Sequence, residues 1–216
     1  MCLCDSTSLQ YIQPPGNPKS AGGATGRIYN WLGIHENSKF PDDVVSTLIK
    51  TGDAKYHEYK NQVSVVSTHG RKIKHSAHVI HALGPDLRAT NSAFMPYSRH
   101  EALALLVQTY KNTLQQFIVS HKAILRLAPF SIGLFSGSFR DEIAELTWDA
   151  IAIAFSHLQS PQKEALSSST GSQIQLCIFD ERNMAQFTRA GFSSIEVPYD
   201  ARCPGFNTLD PQLKTE

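Results

Sequence analysis

The stretch that most restricts the fold of this chain runs from Ile124 to Phe155, ILRLAPFSIGLFSGSFRDEIAELTWDAIAIAF. Ile124, Leu125 and Leu127 have the character of a short buried strand, and Pro129 stops it. Gly133 and Gly137 then bracket a loop in which the backbone can take conformations closed to other residues. Ser138 followed by Asp141 is a helix-start signal, a hydroxyl cap with an acid in the first turn. From there Ile143, Leu146, Thr147, Ala150, Ile153, Ala154 and His157 recur at helical spacing. A strand that ends in a glycine loop and opens onto a helix aims free backbone N–H groups at one point beyond the sheet. That point suits an anion, usually phosphate.

Composition narrows the class. With 216 residues the chain has room for one sizeable core, and 41% apolar and 18% charged residues are ordinary for a globular protein. A net charge of +1 gives no general attraction to nucleic acid or to an anionic membrane. No apolar run reaches the length of a membrane span, and the N-terminus lacks a signal-peptide layout. Cys177 falls inside a predicted strand, while Cys2, Cys4 and Cys203 lie near the ends. That is no disulfide framework and points to a reducing compartment, cytoplasmic or nuclear rather than secreted.

Taken in order, Leu9 to Gln13 reads as a short strand closed by Pro14, Pro15 and Gly16. A second glycine segment follows, with Gly22, Gly23 and Gly26, and Ile28, Trp31 and Leu32 suggest a helix leaving it. Pro41 with Asp42 and Asp43 opens another helix, its apolar face Val44, Val45, Leu48 and Ile49 and its end at Gly52. Residues 62–67 are strand-like, 69–77 (HGRKIKHSA) are polar and turn-like, and Ala77 to Leu83 form a strand broken by Gly84 and Pro85. Tyr97 to Val119 is helical, with Leu103, Leu106, Tyr110, Leu114 and Phe117 on one face. Gln159 to Ser172 is a surface loop, Ile174 to Phe179 a buried strand, Glu181 to Ala190 a short helix and Ser194 to Val197 a last strand. Residues 1–200 form one domain and 201–216 a C-terminal tail. Alternating strands and helices predict an α/β class fold, a three-layer α/β/α sandwich around a mixed, largely parallel sheet. In such sheets ligands bind beyond the carboxyl ends of the strands, where both glycine segments fall.

Each candidate has a plain alternative. Gly22, Gly23 and Gly26 also suit a tight turn, and the segment is neither a P-loop nor a dinucleotide fingerprint. Phe130 and Phe135 can lie against a ribose or a base, or pack in the core; for Phe130 the core is favoured. His75, His78 and His81 invite a metal reading, but His78 and His81 face opposite sides of a strand, and no thiol or carboxylate is spaced to complete a site. No metal and no cofactor is assigned. Arg71, Lys72 and Lys74 read as a solvated turn, and no serine sits in a nucleophile-elbow context.

Together the two segments, their order and their flanks resemble the macrodomain, the ADP-ribose-binding module. Asn17, with Ala21, Gly22, Gly23, Ala24, Thr25, Gly26, Arg27 and Ile28, is similar to its first loop, an asparagine followed by a glycine-rich run. Val79-Ile80-His81-Ala82-Leu83-Gly84-Pro85 is similar to its Val-Ile-His-x-Val-Gly-Pro strand end. Ala128 to Phe135 is similar to its Pro-Ala-Ile-Ser-Thr-Gly-Ile-Phe loop, and Cys177-Ile178-Phe179-Asp180 to a closing strand. The likeness covers roughly Leu9 to Val197.

The resemblance implies that Gly22, Gly23, Thr25, Gly26 and Ile28 line the phosphate and terminal-ribose side. Ser131, Ile132, Gly133, Leu134 and Phe135 would wrap the diphosphate, with Phe135 against a ribose and Asn17 bonded to the terminal ribose. The implied partner is ADP-ribose or a mono-ADP-ribosylated protein, bound by a monomer without membrane or nucleic acid. Three departures stand out. The family's opening strand and adenine-reading acid have no clear counterpart, Asp5 being the one candidate. Pro14 stands where an asparagine is expected. Thr25 holds the position where hydrolytic members often carry a water-activating aspartate, and a threonine hydroxyl is no base near neutral pH. Binding is therefore the first reading. The alternative is a hydrolase that removes ADP-ribose from proteins, or phosphate from ADP-ribose 1″-phosphate, with Asn17 placing the substrate.

Overall fold

The computed structural model describes residues 1–66, 72–88, 95–167, 172–178 and 181–193. Its first strand, β1 (Cys2–Thr7), lies at the centre of the sheet, where the sequence reading has no strand. The expected strand at Leu9 to Gln13 is instead a single helical turn, α1 (Leu9–Ile12). CLCDST lacks the β-branched run that marks a buried strand, because its centre is polar. Cys2 and Cys4 face one core and Leu3 the other, and Asp5 is buried among partners that lie far away in sequence.

After β1 come a 3-10 turn (Pro18–Ser20), α2 (Gly23–Leu32) and α3 (Asp42–Thr47). In α3, Val44 and the capping Leu48 are fully buried, whereas Ile49 is 63% exposed and lies outside the helix. Two long strands follow, β2 (Ala54–Val66) and β3 (Lys72–Leu83), paired antiparallel with a register shift between Tyr59 and Val63. The stretch 72–76 expected as a turn thus extends β3. Charged and polar residues are admitted there because the pairing continues past the covered part of the sheet, where Lys74 and His75 are exposed.

Helix α4 (Arg99–Ser120) closely follows its predicted limits and opens with a reciprocal cap. The Ser98 hydroxyl accepts from the Glu101 N–H, and the Glu101 carboxylate accepts from the Ser98 N–H. Leu106, Tyr110, Leu114 and Phe117 are buried and Leu103 packs beside them, as the periodicity requires. Then come β4 (Ile124–Leu127), a 3-10 segment (Gly133–Phe139), α5 (Ile143–Ser156), α6 (Ser160–Ser167), β5 (Gln173–Leu176) and α7 (Glu181–Arg189). Ser138 does not start α5. The chain spends 133–139 in a tighter coil, and Gly137 (φ +56°) breaks it before the helix begins. The expected loop at 159–172 contains α6, a polar helix with no buried residue that rests on α4. Among the described residues strand β5 is an edge with Ile174 39% exposed, not a buried strand. Phe179, Asp180, the expected strand at 194–197 and the tail lie outside the described residues.

The described sheet has five strands in the order β2-β3-β1-β4-β5. All neighbours run parallel except β2 and β3. One face carries the core formed with α4 and α5, the other the core formed with α2 and α3. This is the three-layer α/β arrangement expected from the alternation of elements. The parallel strands β1, β3 and β4 therefore end at the same edge, which is where the glycine segments begin.

Candidate functional site

At that edge, Gly22 and Gly23 do not form a free loop. Gly22 is the N-cap of α2 and Gly23 its first residue, so the segment is a helix N-terminus with unsatisfied N–H groups. The Thr25 hydroxyl donates to the Ser6 carbonyl at 3.3 Å, tying the first turn of α2 to the end of β1. A side chain at Gly22 or Gly23 would meet nothing within 4 Å, whereas one at Gly26 would run into the Ala21 carbonyl. Gly26 is thus needed for packing, and Gly22 and Gly23 keep the surface in front of the helix clear. Ile28 is 2% exposed and lies in the core below.

The second segment leaves the end of β4. Phe130 is fully buried against Tyr110, whose hydroxyl accepts the Phe130 N–H, so its core role holds. Ser131 is buried with φ +58°, and its hydroxyl donates to the Pro85 carbonyl at 2.6 Å. Ile132 is half-buried and caps the 3-10 segment. Gly133 (φ +70°) faces open space, and Leu134 (72%) and Phe135 (39%) are exposed. The Leu87 N–H donates to the Phe135 carbonyl at 2.9 Å, and Gly137 lies so close to Leu87 and Arg88 that no side chain fits there. Arg88 covers one face of the Phe135 ring, its Cζ 4.7 Å from the centroid.

Gly84, just past β3, sits between the end of β1, to which Thr25 is tied, and Phe130, which leads into the second segment. A carbon placed on its α-carbon would sit 3.2 Å from Ser6 Oγ on one side and 3.1 Å from the Phe130 ring on the other. The structure thus brings Gly22, Gly23 and Thr25 to the same edge as Ser131, Ile132, Gly133, Leu134 and Phe135. Asn17 precedes the 3-10 turn on the first segment, and its Oδ1 is buried with no partner. Ser8 Oγ, just past β1, is in the same condition. Sequence reasoning passed over Ser6, Ser8 and the turn residues 86–88 that follow Pro85. The displaced strand assignment hid the first two, and the turn carries no motif of its own.

Asp5 is fully buried, its Oδ2 2.8 Å from His81 Nδ1, and His81 Nε2 lies 2.8 Å from the Tyr59 hydroxyl. With Asp5 ionised, Nδ1 donates to it and Nε2 accepts from Tyr59. Burial pushes the Tyr59 hydroxyl well above the ordinary phenol range. This is an internal brace, so Asp5 offers no surface to an adenine. His78 faces the other side of the sheet and pairs with Tyr56. Among the described residues no cluster of histidine, cysteine or carboxylate side chains is arranged to hold a metal. None of the described helices is long and apolar enough to cross a membrane. An open cavity of about 670 Å³ runs along β2, lined in part by Ile34, Phe40, His57 and Tyr59; it shares no residue with the glycine segments.

No family model matches the sequence, and no curated protein matches it. Solved structures do. The chain is similar to a macrodomain of Oceanobacillus iheyensis solved with ADP, at 14% identity and a TM-score of 0.50, over 88% of this chain and 81% of that one. The fold is that of a macrodomain. A Trypanosoma brucei macrodomain in complex with ADP-ribose is also similar, at 12% identity and a TM-score of 0.50, over 87% of this chain and 62% of that one. A second structure of the Trypanosoma protein, in complex with ADP, gives a TM-score of 0.51 at 10% identity. In the macrodomain fold of this chain, β1, β3 and β4 supply the edge on which both glycine segments stand.

Proposed function

We propose that this protein binds ADP-ribose, free or attached to protein, with its diphosphate between the α2 N-terminus and the 131–135 loop. The observation that carries the proposal is the convergence of two glycine segments on one edge, each open in front: a side chain on Gly22, Gly23 or Gly133 would touch nothing. Backbone N–H groups at such places bind anions without basic side chains, in keeping with a net charge of +1. Ligands in the similar structures, ADP and ADP-ribose, support the same chemistry. In this reading the Asn17 side chain bonds the terminal ribose, and the exposed face of Phe135 lies against a ribose. Ile28 and Gly26 act from beneath, by holding α2 in place. Isothermal titration with ADP-ribose is expected to give saturable heat; a folded sample that gives none overturns the proposal.

Hydrolysis is the second reading, in which the Asn17 side chain, its Oδ1 buried without a partner, turns outward to position a substrate hydroxyl or a water. An amide is no base, and the Thr25 hydroxyl is already donated to Ser6. Any cleavage would therefore depend on placement and on the ligand's own phosphate. Mono-ADP-ribosylated protein that keeps its label through a long incubation removes this reading.

A further inference from the structure

The turn after β3 carries a charge pair that the binding scheme above leaves idle. Arg88 Nε and Nη2 fork onto the two Asp86 oxygens at 2.9 and 2.7 Å, and the Arg88 N–H donates to Oδ1 at 3.0 Å. The guanidinium carbon lies over the ring of Phe135, in the loop proposed to hold the diphosphate, and both members of the pair are more than a third exposed. The turn itself is fixed to that loop by the Ser131–Pro85 and Leu87–Phe135 hydrogen bonds and by the close approach of Gly137, so Arg88 moves with the loop.

Asp86 and Arg88 cancel each other's charge at the rim. An incoming diphosphate is repelled by the first and attracted by the second, and a guanidinium bonds phosphate oxygens as readily as it does carboxylate oxygens. We propose that Arg88 is a specificity-determining residue of this site, a cation held in reserve by Asp86 and transferred to the phosphate end of the ligand. The proposal rests on the ADP-ribose reading. It makes recognition sensitive to the ligand's charge, which backbone N–H groups alone supply only weakly. It also gives Asp86 a cost in affinity, since the fork has to open before Arg88 can reach the ligand.

The two halves of the pair then have opposite effects, which separates the proposal from a merely structural clamp. Titrations compare ADP-ribose binding to wild type, Arg88→Ala, Arg88→Lys and Asp86→Asn, each checked for folding by thermal melting, at several salt concentrations. Arg88→Ala is expected to weaken binding roughly tenfold, the scale of one screened charge-assisted hydrogen bond. Its affinity also depends less steeply on salt. Asp86→Asn is expected to tighten binding severalfold, and Arg88→Lys to keep the salt dependence but recover only part of the affinity. If both Arg88→Ala and Asp86→Asn weaken binding, or neither changes it, Arg88 is no ligand contact and the proposal falls while the binding reading stands. If wild type gives no heat with ADP-ribose, both fall together.

Discussion

The two glycine segments reach the same edge of the sheet by different means. The first is the start of a helix, and its shape is set from below. Gly26 touches the Ala21 carbonyl, Ile28 and Tyr29 enter the core, and the Tyr29 hydroxyl bonds Thr7 at 2.7 Å. The second has little core beneath its centre, where Gly133, Leu134 and Phe135 all stand exposed. Its shape is set from the side by the 85–88 turn, through one side-chain hydrogen bond, one backbone hydrogen bond and one close backbone approach. A helix N-terminus arises wherever an amphipathic helix is held, so the first segment inherits its geometry from packing. The second is a short 3-10 coil interrupted at Gly137, and it borrows rigidity from a neighbour distant in sequence.

This contrast can be broken at four points. The largest effect is expected at the brace below the first segment. His81→Ala takes the imidazole partner away from the buried Asp5 carboxylate and should cost about 3–5 kcal/mol of stability in urea unfolding. If the cost stays under about 1 kcal/mol, the first segment does not depend on its floor. Next, Gly133→Glu puts a negative side chain into the open front of the second segment. ADP-ribose affinity should fall about a hundredfold, roughly 2.7 kcal/mol, in titration calorimetry. The same titration giving unchanged affinity would remove the loop from the site. Third, Gly26→Ala should lose about 1–3 kcal/mol through its clash with Ala21. Gly23→Ala pays only for a left-handed backbone at φ +58°, about 1 kcal/mol. Equal losses would erase the distinction between packed and open glycines.

The smallest effect concerns pH. The Arg88 fork holds the Asp86 carboxyl below the usual carboxylate range. A depressed folded-state pKa adds stability that is present above the unfolded value and disappears as pH falls through the folded one. The pair is exposed, so about 0.5 kcal/mol is expected. Asp86→Asn should remove that part of the difference between denaturation at pH 7 and pH 3. An identical acid dependence in both proteins would mean that the fork gives the turn no stability.

Long periodic segments were legible because burial of one face repeats a simple pattern. Leu106, Tyr110, Leu114 and Phe117 mark α4 without any knowledge of its neighbours. The order of strands and helices likewise indicated the layered fold. Strand β1 was not legible, since Asp5 sits at 0% exposure beside His81, a partner 76 residues on that local pattern does not reveal. Residues 72–76 and β5 were misjudged for a related reason. Edges and overhanging ends of a sheet carry polar residues that locally resemble turns, or apolar residues that locally resemble a core. At the candidate site the glycines themselves stood out. Ser6, Ser8, Asp86 and Arg88 did not, because their importance lies in what the fold sets beside them.

By itself the sequence determined the class of the fold, since alternating short strands and amphipathic helices bury their apolar faces only in layers. It also determined that two places in the chain must accept backbone geometries that favour glycine. Only the tertiary structure decided that these places share an edge, by running β1, β3 and β4 parallel and ending them together. It alone laid Arg88 over Phe135 as well, 47 positions apart in a chain whose local pattern says nothing of that meeting. Local propensity acts over a few bonds, whereas a site of this kind is made by contacts that exist only once the sheet has formed.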